Sequence, residues 1–360
     1  MKIATILGAR PQFIKASMVS RELANHGNIK ELIIHTGQHF DDNMSKVFFN
    51  DMEIPPPDYE LNIHSLSHGA MTGRMMEDIE NILIEQRPDW VLVYGDTNST
   101  LAGSLSGAKL NIPVAHIEAG LRSFNMHMPE EINRIVSDRI STLLFCPTDN
   151  SIKNLKDEGF SVQSGNIINC GDIMYDAAQF FEELAKTTST VLLDNDITDK
   201  EFILCSIHRS ENTNDSKRLD SIIQALNEIN LKTQIIFPLH PRTKKYLEEY
   251  SIESKFHYLE PVSYFDILLL LNKCQLVITD SGGLQKEAFF SKKHCVILRN
   301  ETEWVELVDN GYSSLAGANT NTILTCFKEM IQKSSHFEVP FYGNGGARKK
   351  IVNTLINYPV

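Results

Sequence analysis

Apolar runs of strand length recur along the chain, each followed by a stretch of helical periodicity. In the first half the runs are KIATILG, ELIIHT, DWVLVYG, IPVAHIEA and TLLFCP, with helical patterns at 68–87 and 98–110. In the second half they are FILCSIH, QIIFPLH, LVITD and HCVILR, interleaved with helical patterns at 216–230, 242–250, 263–273 and 283–291. The rhythm fades between roughly 177 and 200, ending in a polar stretch suited to a linker. Alternation of this kind predicts an α/β protein made of two doubly wound, Rossmann-like domains facing a cleft, where ligands of such pairs bind. We place the domains at 1–172 and 173–345, with a C-terminal helix over 346–360 packing back on the first.

In both halves polar residues gather where strands end, which is where open α/β sheets place their ligands. The first half offers Gly8-Ala9-Arg10-Pro11, Gln38-His39, Gly95-Asp96-Thr97 and Glu118. The second offers His208-Arg209-Ser210-Glu211-Asn212, His240-Pro241-Arg242 and Thr279-Asp280-Ser281-Gly282-Gly283. Any one of these could be a turn or a helix cap. Seven together are hard to attribute to capping. The densest cluster is VAHIEAGLRSFNMHMPEEINR, where Glu118 leaves a strand and Glu130, Glu131 and Arg134 open a helix. Helical spacing puts Glu130 and Arg134 on one face. An acidic first turn with a solvated ion pair would explain that helix alone, but not the second carboxylate arriving from the strand.

TDSGG leads directly into the helix LQKEAFF, so backbone N–H groups at its start can hold a phosphate. It is neither a P-loop nor GxGxxG. Glu287 lies one turn further in, placed to accept both hydroxyls of a ribose whose diphosphate sits at Ser281, Gly282 and Gly283. Arg10 and Lys15, on the loop and first turns of the other domain, are cations for that diphosphate.

Composition narrows the classes. The chain has 360 residues, is 42% hydrophobic and 22% charged, and carries a net charge of −12. The size suits two cores, and the acidic balance argues against a general nucleic-acid surface. No stretch approaches the roughly 18 consecutive apolar residues of a membrane span, and the apolar start is too short for a signal peptide, so a cytoplasmic protein is expected. The six cysteines are scattered, without a C-x-x-C pair, and read as reduced core thiols. HIEAG shares H-x-E with zinc deaminases, but no P-C-x-x-C follows and no metal site is expected. His64, His68, His116 and His127 read as surface or packed side chains.

GARPQFIK, GQHFDDNM, YGDTNSTLAG, HIEAGLRS, MPEEINR, SIHRSEN and TDSGGLQKEA, in this order along almost the whole chain, resemble the non-hydrolysing UDP-N-acetylglucosamine 2-epimerases. The resemblance implies a two-domain fold of the GT-B type, a homodimer, no added cofactor, and a UDP-sugar substrate. It also implies roles. Asp96, Glu118 and Glu130 would move protons and steady charge at the sugar; Arg10, Lys15, Arg134 and His208 would serve the diphosphate, His208 counting among the catalytic residues. Ser281, Gly282, Gly283 and Glu287 would hold phosphate and ribose. Gln38, His39 and Arg74 match positions of a second, regulatory substrate site, although Phe40 and Asp41 depart from the family's pattern there. GARPQFIK and ETEWVE resemble the branch of UDP-2,3-diacetamido-2,3-dideoxyglucuronate 2-epimerases, whose C6 carboxylate would need a cation; Arg122 and Arg299 are candidates. Hydrolysing epimerases, GT-B glycosyltransferases and non-catalytic UDP-sugar sensors are the alternatives.

Overall fold

The computed structural model describes residues 1–38, 52, 54–161 and 166–359. The chain divides into two compact units, Met1–Ala177 with Pro340–Val360, and Ala178–Val339.

Unit 1 is built on a parallel sheet of β1 (Lys2–Leu7), β2 (Lys30–His35), β3 (Tyr59–Glu60), β4 (Trp90–Tyr94), β5 (Val114–Ile117), β6 (Leu143–Cys146) and β7 (Ile167–Asn169). Their order is β3-β2-β1-β4-β5-β6-β7, so the winding reverses between β1 and β4. Helices α1 (Arg10–Ala24), α2 (His68–Gln86), α3 (Asn98–Lys109), α4 (Pro129–Ile140), α5 (Asp149–Asp157) and α6 (Ile173–Thr188) cover it. The small residues of α3 let it lie close on the sheet: a Cβ at Gly103 would stand 3.0 Å from both Ile6 and Val93.

Unit 2 repeats the plan with β8 (Phe202–Ser206), β9 (Gln234–Pro238), β10 (His257–Leu259), β11 (Leu276–Thr279), β12 (His294–Ile297) and β13 (Ser313–Leu315). The order is β10-β9-β8-β11-β12-β13, again parallel, and reverses between β8 and β11. Its helices are α7 (Val191–Asp194), α8 (Ser210–Thr213), α9 (Ser216–Asn230), α10 (Pro241–Glu249), α11 (Tyr264–Lys273), α12 (Gly282–Phe290), α13 (Val305–Asp309) and α14 (Thr320–Gln332). One apolar layer joins Leu219, Ile222 and Leu226 of α9 to Ile323 and Phe327 of α14 across the sheet residues Ile203, Ile235 and Val296.

The chain returns to unit 1 as α15 (Ala347–Asn357). Asp176 of α6 receives it, accepting hydrogen bonds from the backbone N–H of Ala347 at 3.2 Å and of Arg348 at 3.0 Å, as a carboxylate satisfies a helix start. Burial raises the pKa of that carboxyl, the Arg348 and Ala347 amides opposing.

All nine strands expected from apolar runs form; β3, β7, β10 and β13, of two or three residues, were not legible. They are edge or near-edge strands with broken or half-exposed patterns, such as Ile167–Asn169. The segment in which the rhythm fades is helical through Thr188, and the division between the units falls inside α6. Among the described residues no helix is long and apolar enough to cross a membrane, and no group of three or more His, Cys, Asp or Glu could hold a metal ion.

Candidate active site

Each sheet carries its polar residues at the reversal of its strand order, the crevice an open α/β sheet leaves for a ligand. In unit 1 the turns after β1, β4 and β5 meet. Gln12, in the first turn of α1, is buried and binds two of them together. Its Oε1 accepts from the N–H of Gly8 at 2.8 Å and Ala9 at 3.0 Å, while its Nε2 donates to the Tyr94 carbonyl at 2.8 Å.

Lys15, one turn further along α1, is buried, and its ammonium forms an ion pair with Glu118. Glu118 stands at the end of β5 with φ 73°, a left-handed conformation that costs a non-glycine residue of order 1–3 kcal/mol. Its own N–H and that of Ala119 both donate to the Phe145 carbonyl, at 3.0 Å each, which bends the chain there. Gly95, at φ 63°, faces this pair: an added Cβ would stand 3.3 Å from Glu118 Oε2 and 3.4 Å from Lys15 Nζ.

Asp96 is partly exposed and accepts from Arg134 at 3.0 Å from Nε and 2.6 Å from Nη2. Glu130 and Arg134, on one face by helical spacing, are not the pair that forms: Arg134 Nη1 donates to Glu131 Oε2 at 2.6 Å, Glu131 being the buried residue of the two carboxylates. Glu131 also accepts from the N–H groups of Ser123 at 3.0 Å and Phe124 at 2.9 Å, and so anchors the loop between β5 and α4. Glu130 is half-buried at the start of α4. Lys15 and Arg134, taken from sequence as diphosphate cations, therefore sit on the carboxylates. Arg10 opens α1, half-buried.

His116 is fully buried, as a packed histidine, and has polar partners on both ring nitrogens: Gly95 O at 2.7 Å from Nε2 and Asp138 Oδ1 at 2.7 Å from Nδ1. Burial alone would raise the Asp138 carboxyl, but His116 and Arg122 outweigh it and hold the pKa below the usual range. Arg122 is not available for a substrate carboxylate. It donates to Asp138 at 2.7 Å and forks onto Glu158 at 2.6 and 2.9 Å.

In unit 2 the buried Asp280, at the end of β11, shapes the turn after β8. It accepts from the N–H groups of His208 and Arg209, at 3.0 Å each, and from Asn212 Nδ2 at 3.0 Å. The His208 ring, about one-third exposed, lies with Nδ1 3.4 Å from Asp280 Oδ1 and packs near His240, centroids 5.4 Å apart. Ser281 caps α12, its hydroxyl accepting from Leu284 N–H at 3.5 Å; Gly282 and Gly283 form the first turn. Glu287 is buried one turn on. The ETEWVE segment packs here: Trp304 Nε1 donates to the Gly282 carbonyl at 2.9 Å, and the Lys286 ammonium lies 4.3 Å from the Trp304 ring centre. Arg299 is occupied by Glu303, at 2.9 and 3.1 Å, and so is likewise withdrawn as a carboxylate ligand.

Of the regulatory candidates, His39 lies outside the described residues. Gln38 accepts from the N–H and hydroxyl of Ser99, at 3.2 and 3.1 Å, and Arg74 is exposed on α2. Sequence reasoning assigned no organising role to Gln12, Glu131, Asp138, Asp280 or Trp304. All but Asp138 stood within segments already singled out, Gln12 in GARPQFIK, Glu131 beside Glu130, Asp280 in TDSGG and Trp304 in ETEWVE.

A model of the UDP-N-acetylglucosamine 2-epimerase family matches residues 21–356. The chain is 50% identical to UDP-2,3-diacetamido-2,3-dideoxy-D-glucuronate 2-epimerase of Pseudomonas aeruginosa, over 99% of each chain. It is also 50% identical to a UDP-N-acetylglucosamine 2-epimerase homolog of Methanococcus maripaludis, over 99% of this chain and 100% of the other. Its structure is similar to that of Methanocaldococcus jannaschii UDP-GlcNAc 2-epimerase in complex with UDP-GlcNAc and UDP, with a TM-score of 0.93 and 40% identity, over 99% of this chain and 100% of that one.

Proposed function

The chain belongs to the UDP-N-acetylglucosamine 2-epimerase family, and we propose that it inverts C2 of a UDP-2-acetamido sugar by eliminating UDP and adding it back, without hydrolysis. The observation that carries this reading is the pairing of two site carboxylates with two cations, Glu118 with Lys15 and Asp96 with Arg134, on adjoining strand ends. The C2 proton of such a sugar is not next to a carbonyl, so removing it alone leaves an unstabilised carbanion. If a carboxylate takes the proton while the C1–O bond breaks, the electron pair of that bond leaves with UDP and a 2-acetamidoglucal remains. Returning a proton to the opposite face of C2 and the UDP oxygen to C1 completes the inversion, with atoms and charge balanced.

Asp96, Glu118 and Glu130 are the proton-handling and charge-steadying groups in this reading. Lys15 and Arg134 hold Glu118 and Asp96 in place beside their duty to the diphosphate. Arg10, His208, Ser281, Gly282 and Gly283 serve the diphosphate, and Glu287 the ribose. The protein works in the cytoplasm as a homodimer.

The substrate is UDP-GlcNAc, giving UDP-ManNAc, or its 2,3-diacetamido glucuronate analogue. With Arg122 and Arg299 occupied, support for the uronate rests on the 50% identity to the Pseudomonas relative and on the resemblance of GARPQFIK and ETEWVE to that branch. The test is NMR of the sugar products with each substrate. The C2 epimer should form with UDP still attached from both, with kcat/KM favouring the uronate. Free sugar and UDP as products would mean a hydrolysing enzyme, and a ratio favouring UDP-GlcNAc by about tenfold or more, a difference of 1.4 kcal/mol in transition-state binding, would exclude the uronate preference.

A further inference from the structure

Asp96 and Glu118 stand on different turns, and one buried chain of hydrogen bonds joins those turns from behind. His116 Nε2 lies 2.7 Å from the carbonyl of Gly95, the residue before Asp96. A carbonyl only accepts, so this nitrogen donates. Nδ1 lies 2.7 Å from Asp138 Oδ1, and Asp138 Oδ2 accepts from the N–H of Gly120, two residues past Glu118, at 3.1 Å. Gly120, at φ 78°, accepts from Asn154 Nδ2 on its carbonyl at 3.0 Å and packs closely on α5, where an added Cβ would collide with the Ser151 carbonyl. Arg122 closes the back of Asp138, and both His116 and Asp138 are wholly buried. Helix α4, which carries Asp138, also carries Arg134 on Asp96.

We propose that His116 and Asp138 are positioning residues that fix Asp96 and Glu118 relative to each other, so that both carboxylates meet one sugar. This rests on the reading that those carboxylates carry the proton transfers. Neither residue touches the substrate; each acts through the backbone of a neighbouring turn. A misplacement of about 1 Å at reacting groups can cost on the order of a hundredfold in rate.

The test uses the full chain, with UDP binding in unit 2 as an internal count of folded sites. His116→Asn keeps a donor near Asp138 and loses the one that reaches Gly95; His116→Gln keeps the reach to Gly95. Calorimetry with UDP gives the number and affinity of sites, and kcat is expressed per site. His116→Gln loses the contact with Asp138, so each variant breaks the chain at one end, and the expected result for both is a kcat lower by about thirtyfold to a hundredfold with UDP Kd and substrate KM within about twofold. A kcat per site within about threefold of the wild type in either variant overturns the proposal. If His116→Asn yields too few UDP sites to assay, Asp138→Asn decides by the same criterion: a large loss of kcat at unchanged Kd supports it and an unchanged kcat overturns it. Wild-type protein that binds UDP without epimerising would instead remove the underlying reading.

Discussion

Glu118→Gln keeps the size of the side chain and removes its charge, and the ion pair with Lys15 goes with it. Both Glu118→Gln and Asp96→Asn are expected to lose about a hundredfold or more in kcat while retaining UDP binding, because on the proposed reading proton transfer and charge stabilisation are lost while Ser281, Gly282, Gly283 and Glu287, proposed to hold phosphate and ribose, are unchanged. Glu287→Ala should do the reverse, weakening UDP by calorimetry with a smaller effect on kcat. Loss of UDP affinity in Glu118→Gln would show that carboxylate to be misassigned. At this scale the sequence was only partly legible. Spacing along a helix pointed Arg134 at Glu130, but burial of the neighbouring Glu131 drew the guanidinium inward instead. The partners Lys15 and Glu118 lie 103 residues apart, a distance no local pattern spans.

Among elements, the central strands could be read because each is a run of buried, mostly apolar residues, and the site could be placed at their ends for the same reason. A carboxylate departs from the apolar rule on β2, where Glu31 lies on the sheet with Thr5 Oγ1 donating to it at 2.6 Å. Burial raises its pKa above the usual 4.5; the Thr5 hydrogen bond opposes the rise and Asp58 adds to it. A carboxyl whose folded pKa is raised contributes stability that is fully present below the unfolded value and lost as pH rises through the folded one. Glu31→Gln removes that dependence. In urea unfolding between pH 4.5 and about 7.5, the variant should gain stability relative to the wild type as pH rises. A difference that stays constant with pH would contradict this placement of Glu31.

At the scale of the whole molecule, the chain belongs to two units and re-enters the first through α15, received by Asp176. The alternation of strands and helices announced two Rossmann-like units, and the family resemblance supplied the chemistry that neither composition nor spacing could. The cross-strand network of His116, Asp138 and Arg122 emerged only from the fold, since His116 read as a surface or packed side chain, Arg122 as a candidate for a substrate carboxylate, and Asp138 carried no signal of its own. The central claim is that this chain moves a proton at C2 while UDP leaves and returns. It is tested most directly by incubating the protein with UDP-GlcNAc in D2O, in the presence of EDTA and without added nicotinamide cofactor, and following C2 by NMR. The account predicts a UDP-linked epimer carrying deuterium at C2. An epimer that retains its original C2 proton, or activity abolished by EDTA, would contradict it.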